Sequence, residues 1–98
     1  MSTANFVVLG NFTEQGIRTV KDTGKRAQGL RDLAKGMGVT VKDVYWTIGI
    51  YDVVCTMQAP NDEAAASFMM KLGSLGNIKS LTLRAFTEDE IGALTSKL

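Results

Sequence analysis

The sequence contains no histidine, and this absence removes several kinds of functional site. A zinc site built on imidazole, a Ser-His or Cys-His nucleophile pair, and a haem held by a proximal histidine all need that side chain. Any catalysis must therefore rely on Asp, Glu, Lys, Arg, Tyr or Cys, or on an external cofactor. We expect no bound metal and no resident cofactor.

Cysteine is almost absent as well. Cys55 is the single cysteine, so no disulfide can form within the chain, which favours a reduced, cytoplasmic setting. The N-terminus lacks the basic-then-apolar pattern of a signal peptide, and no apolar run approaches the roughly 20 residues that cross a bilayer. We expect a cytoplasmic chain without a membrane partner.

An excess of charge of either sign is also missing, since 11 basic and 10 acidic residues leave a net charge of +1. This balance gives no broad attraction to DNA or RNA, so we expect no nucleic-acid partner. The chain has 98 residues, a length that predicts a single domain over residues 1–98 with one layer of helices on one sheet.

The apolar pattern predicts the order strand, helix in two pieces, strand, strand, helix, strand, helix. Short runs rich in β-branched and aromatic residues indicate strands, and apolar residues three and four apart indicate helices. The predicted strands cover residues 5–12, 39–48, 51–59 and 78–86. The predicted helices cover residues 14–20 and 24–36, a stretch from Asn61 or Asp62 to about Leu72, and a short C-terminal segment.

Three local signals refine these boundaries. Thr23 is predicted to cap the second helical piece, and Gly49-Ile50 is predicted to be a two-residue hairpin turn between the second and third strands. Thr87, with Glu90 three residues later, predicts a capping box at the start of the C-terminal helix.

This order predicts an α+β chain with a ferredoxin-like βαββαβ fold. Right-handed crossovers place both long helices on one face of an antiparallel sheet, and the C-terminal helix is an addition to that plan. The other face of the sheet is then left uncovered. We call it the open face.

Side-chain alternation predicts that the open face is partly apolar and partly polar, with Tyr, Thr, Asp and Arg side chains, Arg84 among them. Such a face is too apolar to lie fully in water and too polar to be an ordinary core. It either packs against the same face of a second copy, forming a two-fold dimer, or lines a pocket inside that dimer.

The stretch Gly49-Ile50-Tyr51-Asp52-Val53-Val54 resembles the GYD-domain family of small, mostly uncharacterised bacterial proteins. Ile50 separates the glycine from the Tyr-Asp pair, and Gly24 stands where the family often has proline. The resemblance spans nearly the whole chain. Its other supporting stretches are Val20-Lys21-Asp22, Lys25-Arg26-Ala27, Val44-Tyr45-Trp46-Thr47-Ile48-Gly49, Ala59-Pro60-Asn61-Asp62-Glu63-Ala64-Ala65, Leu72-Gly73-Ser74-Leu75-Gly76-Asn77 and Thr82-Leu83-Arg84-Ala85-Phe86.

The resemblance implies a ferredoxin-like subunit related to the dimeric α/β-barrel proteins. Relatives of that barrel include cofactor-free monooxygenases, isomerases, haem enzymes and small-molecule-sensing domains, so the resemblance implies no particular reaction.

Asp52, Tyr51 and Arg84 are the first candidate site residues. Asp52 is a candidate general base or hydrogen-bond acceptor, and Tyr51 a candidate donor or ring platform. The structural alternative is that Asp52 binds turn amides or pairs with Arg84 across the sheet. Arg84 in turn is a candidate for holding a carboxylate or phosphate through its guanidinium fork.

Tyr45 and Trp46 are candidate ligand contacts that a regular strand directs to opposite faces, one to the core and one to the open face. Lys21 and Arg26 belong to a cluster of basic residues near the start of the second helical piece. A bound anion would offset positive charge at a helix N-terminus, and the alternative is a solvated surface without a ligand.

The sequence leaves three hypotheses for the function. The first is a small-molecule-binding or regulatory homo-oligomer, the second a cofactor-independent enzyme of monooxygenase or isomerase type, and the third a purely structural assembly subunit. The enzyme would use Asp52, Tyr45 or Arg84 in a pocket on the sheet face. In the first two hypotheses the chain forms a homodimer, or a multiple of dimers, that holds a small organic or anionic ligand.

Overall fold

The computed structural model describes residues 3–98 and contains a four-stranded sheet with helices between its strands. The strands are β1 (Ala4–Phe12), β2 (Thr40–Trp46), β3 (Val53–Ala59) and β4 (Ile78–Ala85). The helices are α1 (Glu14–Arg18), α2 (Thr23–Gly36), α3 (Asp62–Ser74) and α4 (Glu88–Thr95), and a 3₁₀ turn at Val20–Asp22 joins α1 to α2.

The spatial order of the strands is β2-β3-β1-β4, and every neighbouring pair is antiparallel. This is the sheet of the ferredoxin-like fold, so the predicted α+β βαββαβ architecture is confirmed, including the added C-terminal helix. β1 lies inside the sheet because its continuous apolar run tolerates burial on both sides.

The core lies between the sheet and the helices α2 and α3. Alternate residues of β1 are buried there, and Phe6 and Val8 pair across the sheet with Met57 and Cys55 of β3. Phe68 of α3 packs into the same cluster and is 1% exposed. Because side chains alternate along a strand and paired residues share a face, these buried residues show which face of every strand the helices cover.

The connection between β2 and β3 differs from the prediction. Gly49-Ile50 is not a two-residue turn, because β2 ends at Trp46 and β3 begins at Val53, which leaves a loop over residues 47–52. The Thr47 amide donates to the Asp52 carbonyl at 2.8 Å and closes the loop. Gly-Ile lacks the second residue with positive φ that a tight hairpin turn requires, and in this loop Gly49 alone has positive φ.

The predicted cap of α2 is also wrong. Asp22 occupies the N-cap position and makes no side-chain cap bond, while Thr23 is already helical. The Thr23 hydroxyl instead accepts a hydrogen bond from the indole N–H of Trp46 at 2.9 Å. A tertiary contact therefore uses the hydroxyl that the local pattern assigned to capping.

The other helix boundaries agree with their local signals. Asn61 caps α3 through its side chain, and Thr87 with Glu90 forms the predicted capping box of α4. Gly38, with φ +79°, follows α2 in the left-handed conformation and lets Val39 donate back to the Ala34 carbonyl at 2.8 Å. None of the helices described over residues 3–98 is long and apolar enough to span a bilayer.

Candidate functional site

The open face of the sheet is a continuous and largely apolar surface. The register places on it the side chains that alternate with the buried ones. Its apolar members are Val7, Leu9, Tyr45, Val54, Leu81, Leu83 and Ala85, and its polar members include Asn5, Thr56, Gln58 and Lys79.

Large apolar groups on this face are exposed to solvent in the single chain. Tyr45 is 60% exposed, Leu81 49% and Leu83 43%, because none of the helices α1 to α4 lies over these side chains. Val7, Leu9 and Val54 in the middle of the face are only half-buried. The face is more apolar than the sequence predicted.

Arg84 accounts for that difference, because its predicted place on the open face is wrong. It pairs with Phe6, whose side chain lies in the core, so Arg84 extends from the covered face at the sheet edge. Its guanidinium lies 4.5 Å from the centre of the Phe86 ring and 3.9 Å from the Asp62 carboxylate. It also donates to the Asn5 carbonyl at 3.3 Å.

Asp52 has a structural environment. Its carboxylate accepts hydrogen bonds from the Phe12 amide at 3.0 Å and from the Asn11 side chain at 3.5 Å. The Asp52 amide donates to the Gly10 carbonyl at 2.9 Å, so the carboxylate and the backbone amide of Asp52 both bind the 47–52 loop to β1. The predicted alternative pairing of Asp52 with Arg84 is not formed, because the two residues lie on different faces and at different ends of the sheet.

Tyr51 lies beside Asp52 in the 47–52 loop, whereas Lys21 lies in a different part of the fold. The Tyr51 carbonyl accepts from the Thr47 hydroxyl at 2.6 Å inside the 47–52 loop. Lys21 is exposed on the 3₁₀ turn before α2. The structure therefore does not gather the candidates Asp52, Tyr45 and Arg84 into one constellation.

A cavity of about 340 Å³ lies on the other side of the sheet, between α2 and the end of α3, and we call it the interhelix cavity. Its floor is the covered face of the sheet, and one wall is the inward side of α2. It is lined by Phe12, Thr23, Arg26, Ala27, Gly29, Leu30, Leu33, Val44, Trp46, Val53, Leu72, Leu75, Asn77 and Ile78.

Two of the sequence candidates, Trp46 and Arg26, meet at this cavity. Trp46 lies on the covered face opposite Val53, while its neighbour Tyr45 lies on the open face, as strand alternation predicts. The Arg26 guanidinium donates to the carbonyl and hydroxyl of Thr19 and to the Gly16 carbonyl, the last at 3.1 Å.

Sequence reasoning missed the interhelix cavity because its apolar lining looks like an ordinary core. Leu30 and Leu33 follow the helical spacing that predicts packing against a sheet, and Leu72 is the same kind of residue on α3. The cavity lies between α2 and the end of α3, and no local sequence pattern predicts how far apart two helices pack.

α4 extends the apolar surface beside the open face. The Asn5 side chain, on that face, donates to the Glu90 carboxylate at 3.3 Å and fixes the start of the helix there. Beyond this contact Ile91 and Leu94 are 46% and 44% exposed. The helix thus has an apolar side that the single chain leaves uncovered.

The surroundings of Cys55 and of Glu90 shift the pKa values of these two side chains. Burial raises the pKa of the Cys55 thiol, an effect that the charge of Arg31 partly offsets. The Thr87 backbone N–H, donating to the Glu90 carboxylate at 2.8 Å, lowers the pKa of Glu90. Over residues 3–98 no cluster of His, Cys, Asp or Glu has the arrangement of a metal site.

The sequence matches a known protein family and a named bacterial protein. The family model that matches is the GYD domain, over residues 6–94. A protein of Thermus thermophilus, named glutamine synthetase and cystathionine beta-lyase binding protein, is 32% identical over 81 residues. The aligned region covers 82% of this chain and 85% of that protein.

Two solved structures share the fold. The crystal structure of MtbAldR has a TM-score of 0.69 at 16% identity, and the match covers 87% of this chain but 52% of MtbAldR, so this chain spans about half the length of that protein. The crystal structure of TTHA0845 from Thermus thermophilus has a TM-score of 0.54 at 23% identity, covering 86% of this chain and 94% of the other.

At these identities the two structures show the fold alone. The family is shown by the other two matches, one of which extends over nearly the whole chain and one over most of both chains. This chain therefore belongs to the GYD domain family.

Proposed function

We propose that this chain is a cytoplasmic regulatory binding protein that works as a homodimer, with the open face as its subunit interface. The observation that carries the proposal is the exposure of Tyr45, Leu81 and Leu83 on one continuous sheet face. Exposed apolar area of this kind is characteristic of interaction surfaces. A two-fold axis through the face would bring each of these side chains against the same surface of a second copy.

The size of the face supports self-association. β4 has 8 residues, and four strands of about that length make a face of about 500 Å² of flat area at the usual strand spacing and rise. Two such faces in contact remove about 1,000 Å² from water, which is where specific interfaces begin. Ile91 and Leu94 of α4, which begins beside the face, would add to that area.

A binding role fits the site geometry better than catalysis. Asp52 already accepts two hydrogen bonds, Arg84 lies at the covered edge of β4, and Tyr45 lies on the open face. None of the three lines the interhelix cavity. Arg84 lies on the other face and at the other end of the sheet from Asp52, so the three candidate groups do not surround one substrate atom as the enzyme hypothesis requires.

The Thermus relative supports a regulatory role, since its name describes a protein that binds two enzymes. By extension, we propose that the dimer acts on other proteins through binding and that a small molecule controls this binding. A purely structural subunit would need neither a partner nor the interhelix cavity.

A matched pair of substitutions on β4 tests the interface. Leu81→Asp places a charge on the open face, whereas Ser80→Asp places the same charge on the neighbouring residue of the opposite face. Both residues are exposed in the single chain, so neither change disturbs the core. Sedimentation velocity should show a dimer for the unmodified chain and for Ser80→Asp, and a monomer for Leu81→Asp.

Circular dichroism should show the same helix and strand content in both variants. A Leu81→Asp protein that remains dimeric, or a Ser80→Asp protein that dissociates equally, would contradict the proposed interface.

A further inference from the structure

We propose that the interhelix cavity binds a small amphipathic monocarboxylate, with the apolar body of the ligand between the helices and the sheet and its carboxylate at Arg26. The inference deepens the proposed function by naming a ligand class and a site. It does not need the dimer, because the cavity lies on the side of the sheet opposite the open face.

The cavity has the dimensions and chemistry of a small-ligand site. Its volume of about 340 Å³ lies at the lower end of the range of about 300–1,000 Å³ found for ligand pockets. Most of its lining is aliphatic or aromatic, including Leu30, Leu33 and Leu72. A compact apolar body fits this lining, and a polyhydroxylated or highly charged molecule would lose hydration without gaining hydrogen bonds.

The charge of the ligand follows from Arg26, the single charged residue among the fourteen that line the cavity. Its guanidinium binds the neutral oxygens of Thr19 and Gly16, and no carboxylate of residues 3–98 lies within ion-pair distance of it. A guanidinium is the side chain best suited to a carboxylate, because it offers several donors in one plane.

The neighbouring polar group is also a donor. Asn77 accepts a hydrogen bond from Gln15 through Oδ1 at 3.1 Å, which leaves its Nδ2 amide free to donate. Gly16 contacts both Arg26 and Asn77. The Gly16 carbonyl accepts a hydrogen bond from Arg26, and the Gly16 α-carbon packs on the Asn77 backbone. Asn77 and Arg26 therefore lie at the same end of the cavity. A cavity with hydrogen-bond donors at one end and apolar walls beyond them is complementary to an amphipathic anion.

The length of the apolar body follows from α2. Arg26, Leu30 and Leu33 line the cavity in succession along this helix, and seven residues of helix span about 10 Å. A straight chain of the length of octanoate occupies that distance with its carboxylate at Arg26. Octanoate is therefore the probe of choice, and octan-1-ol is the matched uncharged control.

Trp46 provides the measurement, since it is the single tryptophan of the chain and lines the cavity. Titration with octanoate should change its fluorescence emission and saturate, and octan-1-ol should bind at least about tenfold more weakly because it forms no charge-assisted hydrogen bond. Equal affinity for the two probes, or no saturable change with octanoate, would overturn the proposal.

Substitutions separate the role of Arg26 from general charge. Arg26→Met should weaken octanoate binding about tenfold and leave octan-1-ol binding unchanged. Lys25→Met removes an adjacent, exposed positive charge outside the cavity lining and should leave both affinities unchanged. Equal losses in the two variants would show attraction by the basic surface alone and overturn the assignment to Arg26.

If Arg26→Met does not fold, Leu33→Phe tests the same site from the opposite end by narrowing the cavity. Octanoate affinity should then fall while Arg26 remains in place, and unchanged affinity would overturn the assignment. The oligomeric state is measured separately by sedimentation, so a failed octanoate titration would leave the open-face dimer standing, and a monomeric chain would leave the cavity result standing.

Discussion

Among the glycines, Gly16 is the position where the fold can least accommodate a side chain. A β-carbon at this position would overlap the carbonyl oxygen of Asn77, which is backbone and cannot rotate away. The Gly16→Ala protein should therefore be less stable by about 1–3 kcal/mol, the usual cost of overpacking. Urea unfolding at a fixed protein concentration measures this change, since the proposed dimerisation would make stability depend on concentration.

Gly24→Ala is the control for that experiment. A β-carbon at Gly24 has no atom within 4 Å, and alanine is the better helix former, so this variant should be as stable as the unmodified chain or up to about 1 kcal/mol more stable. Equal stability of the two alanine variants would show that α1 and the start of β4 do not approach as closely as described.

Cys55 should be an unreactive thiol in the folded chain. It is buried in the core beside Val8 and Val44, and burial raises its pKa, so little thiolate is present at pH 8. Labelling by a disulfide reagent should be slow in buffer and fast in urea. The raised pKa also means that stability falls as the pH rises above the ordinary thiol value, because ionisation then favours the unfolded chain.

A Cys55→Ala protein controls both observations, since it cannot be labelled and should lack that alkaline loss of stability. Rapid labelling of the folded, unmodified chain would contradict the described core.

Residue roles were predictable where they depend on alternation alone. Tyr45 and Trp46 lie on opposite faces because neighbouring strand residues must. Arg84 was assigned to the wrong face, because its own strand does not reveal which side the helices cover. The Phe6 pairing settles that question, and it joins residues far apart in the sequence.

At the scale of elements, the start of α4 is a pH-sensitive cap. The Thr87 amide holds the pKa of Glu90 below its ordinary value of 4.5. Because this pKa is lower in the folded helix, the cap stabilises α4 fully above the ordinary value and loses its effect as the pH falls through the lowered one. Amide chemical shifts of residues 88–95 should show α4 fraying in that acidic range.

Glu90→Gln should remove this acid transition, because glutamine keeps a side-chain acceptor at the cap without titrating. Glu88→Gln changes a carboxylate that makes no cap contact and should leave the transition in place. An acid transition of α4 that persists in Glu90→Gln would show that another group controls the helix.

Elements with purely local signals were predictable from the sequence, and those shaped by distant contacts were not. Asn61 and the Thr87–Glu90 pair cap their helices as predicted, since capping involves residues within one turn. The 47–52 loop and the start of α2 were missed. Asp52 is fixed to β1 and Thr23 to Trp46, and these contacts arise only after the sheet has formed.

At the scale of the whole molecule, the sheet separates two proposed surfaces. The open face with its exposed leucines would hold a second copy, and the interhelix cavity on the covered face would hold a ligand. Trp46 and Tyr45 are adjacent in β2 and border the cavity and the open face respectively. A ligand that moves β2 would therefore alter the subunit interface through one peptide unit.

Native mass spectrometry of the unmodified chain, compared with the same sample under denaturing conditions, tests the central claim most directly. We expect a dimer or an even multiple of the chain mass under native conditions, and the bare chain after denaturation. Extra mass lost on denaturation would in addition identify a ligand retained from the cell. A monomer at micromolar concentration would contradict the account, because the exposed apolar face would then have no second copy to cover it.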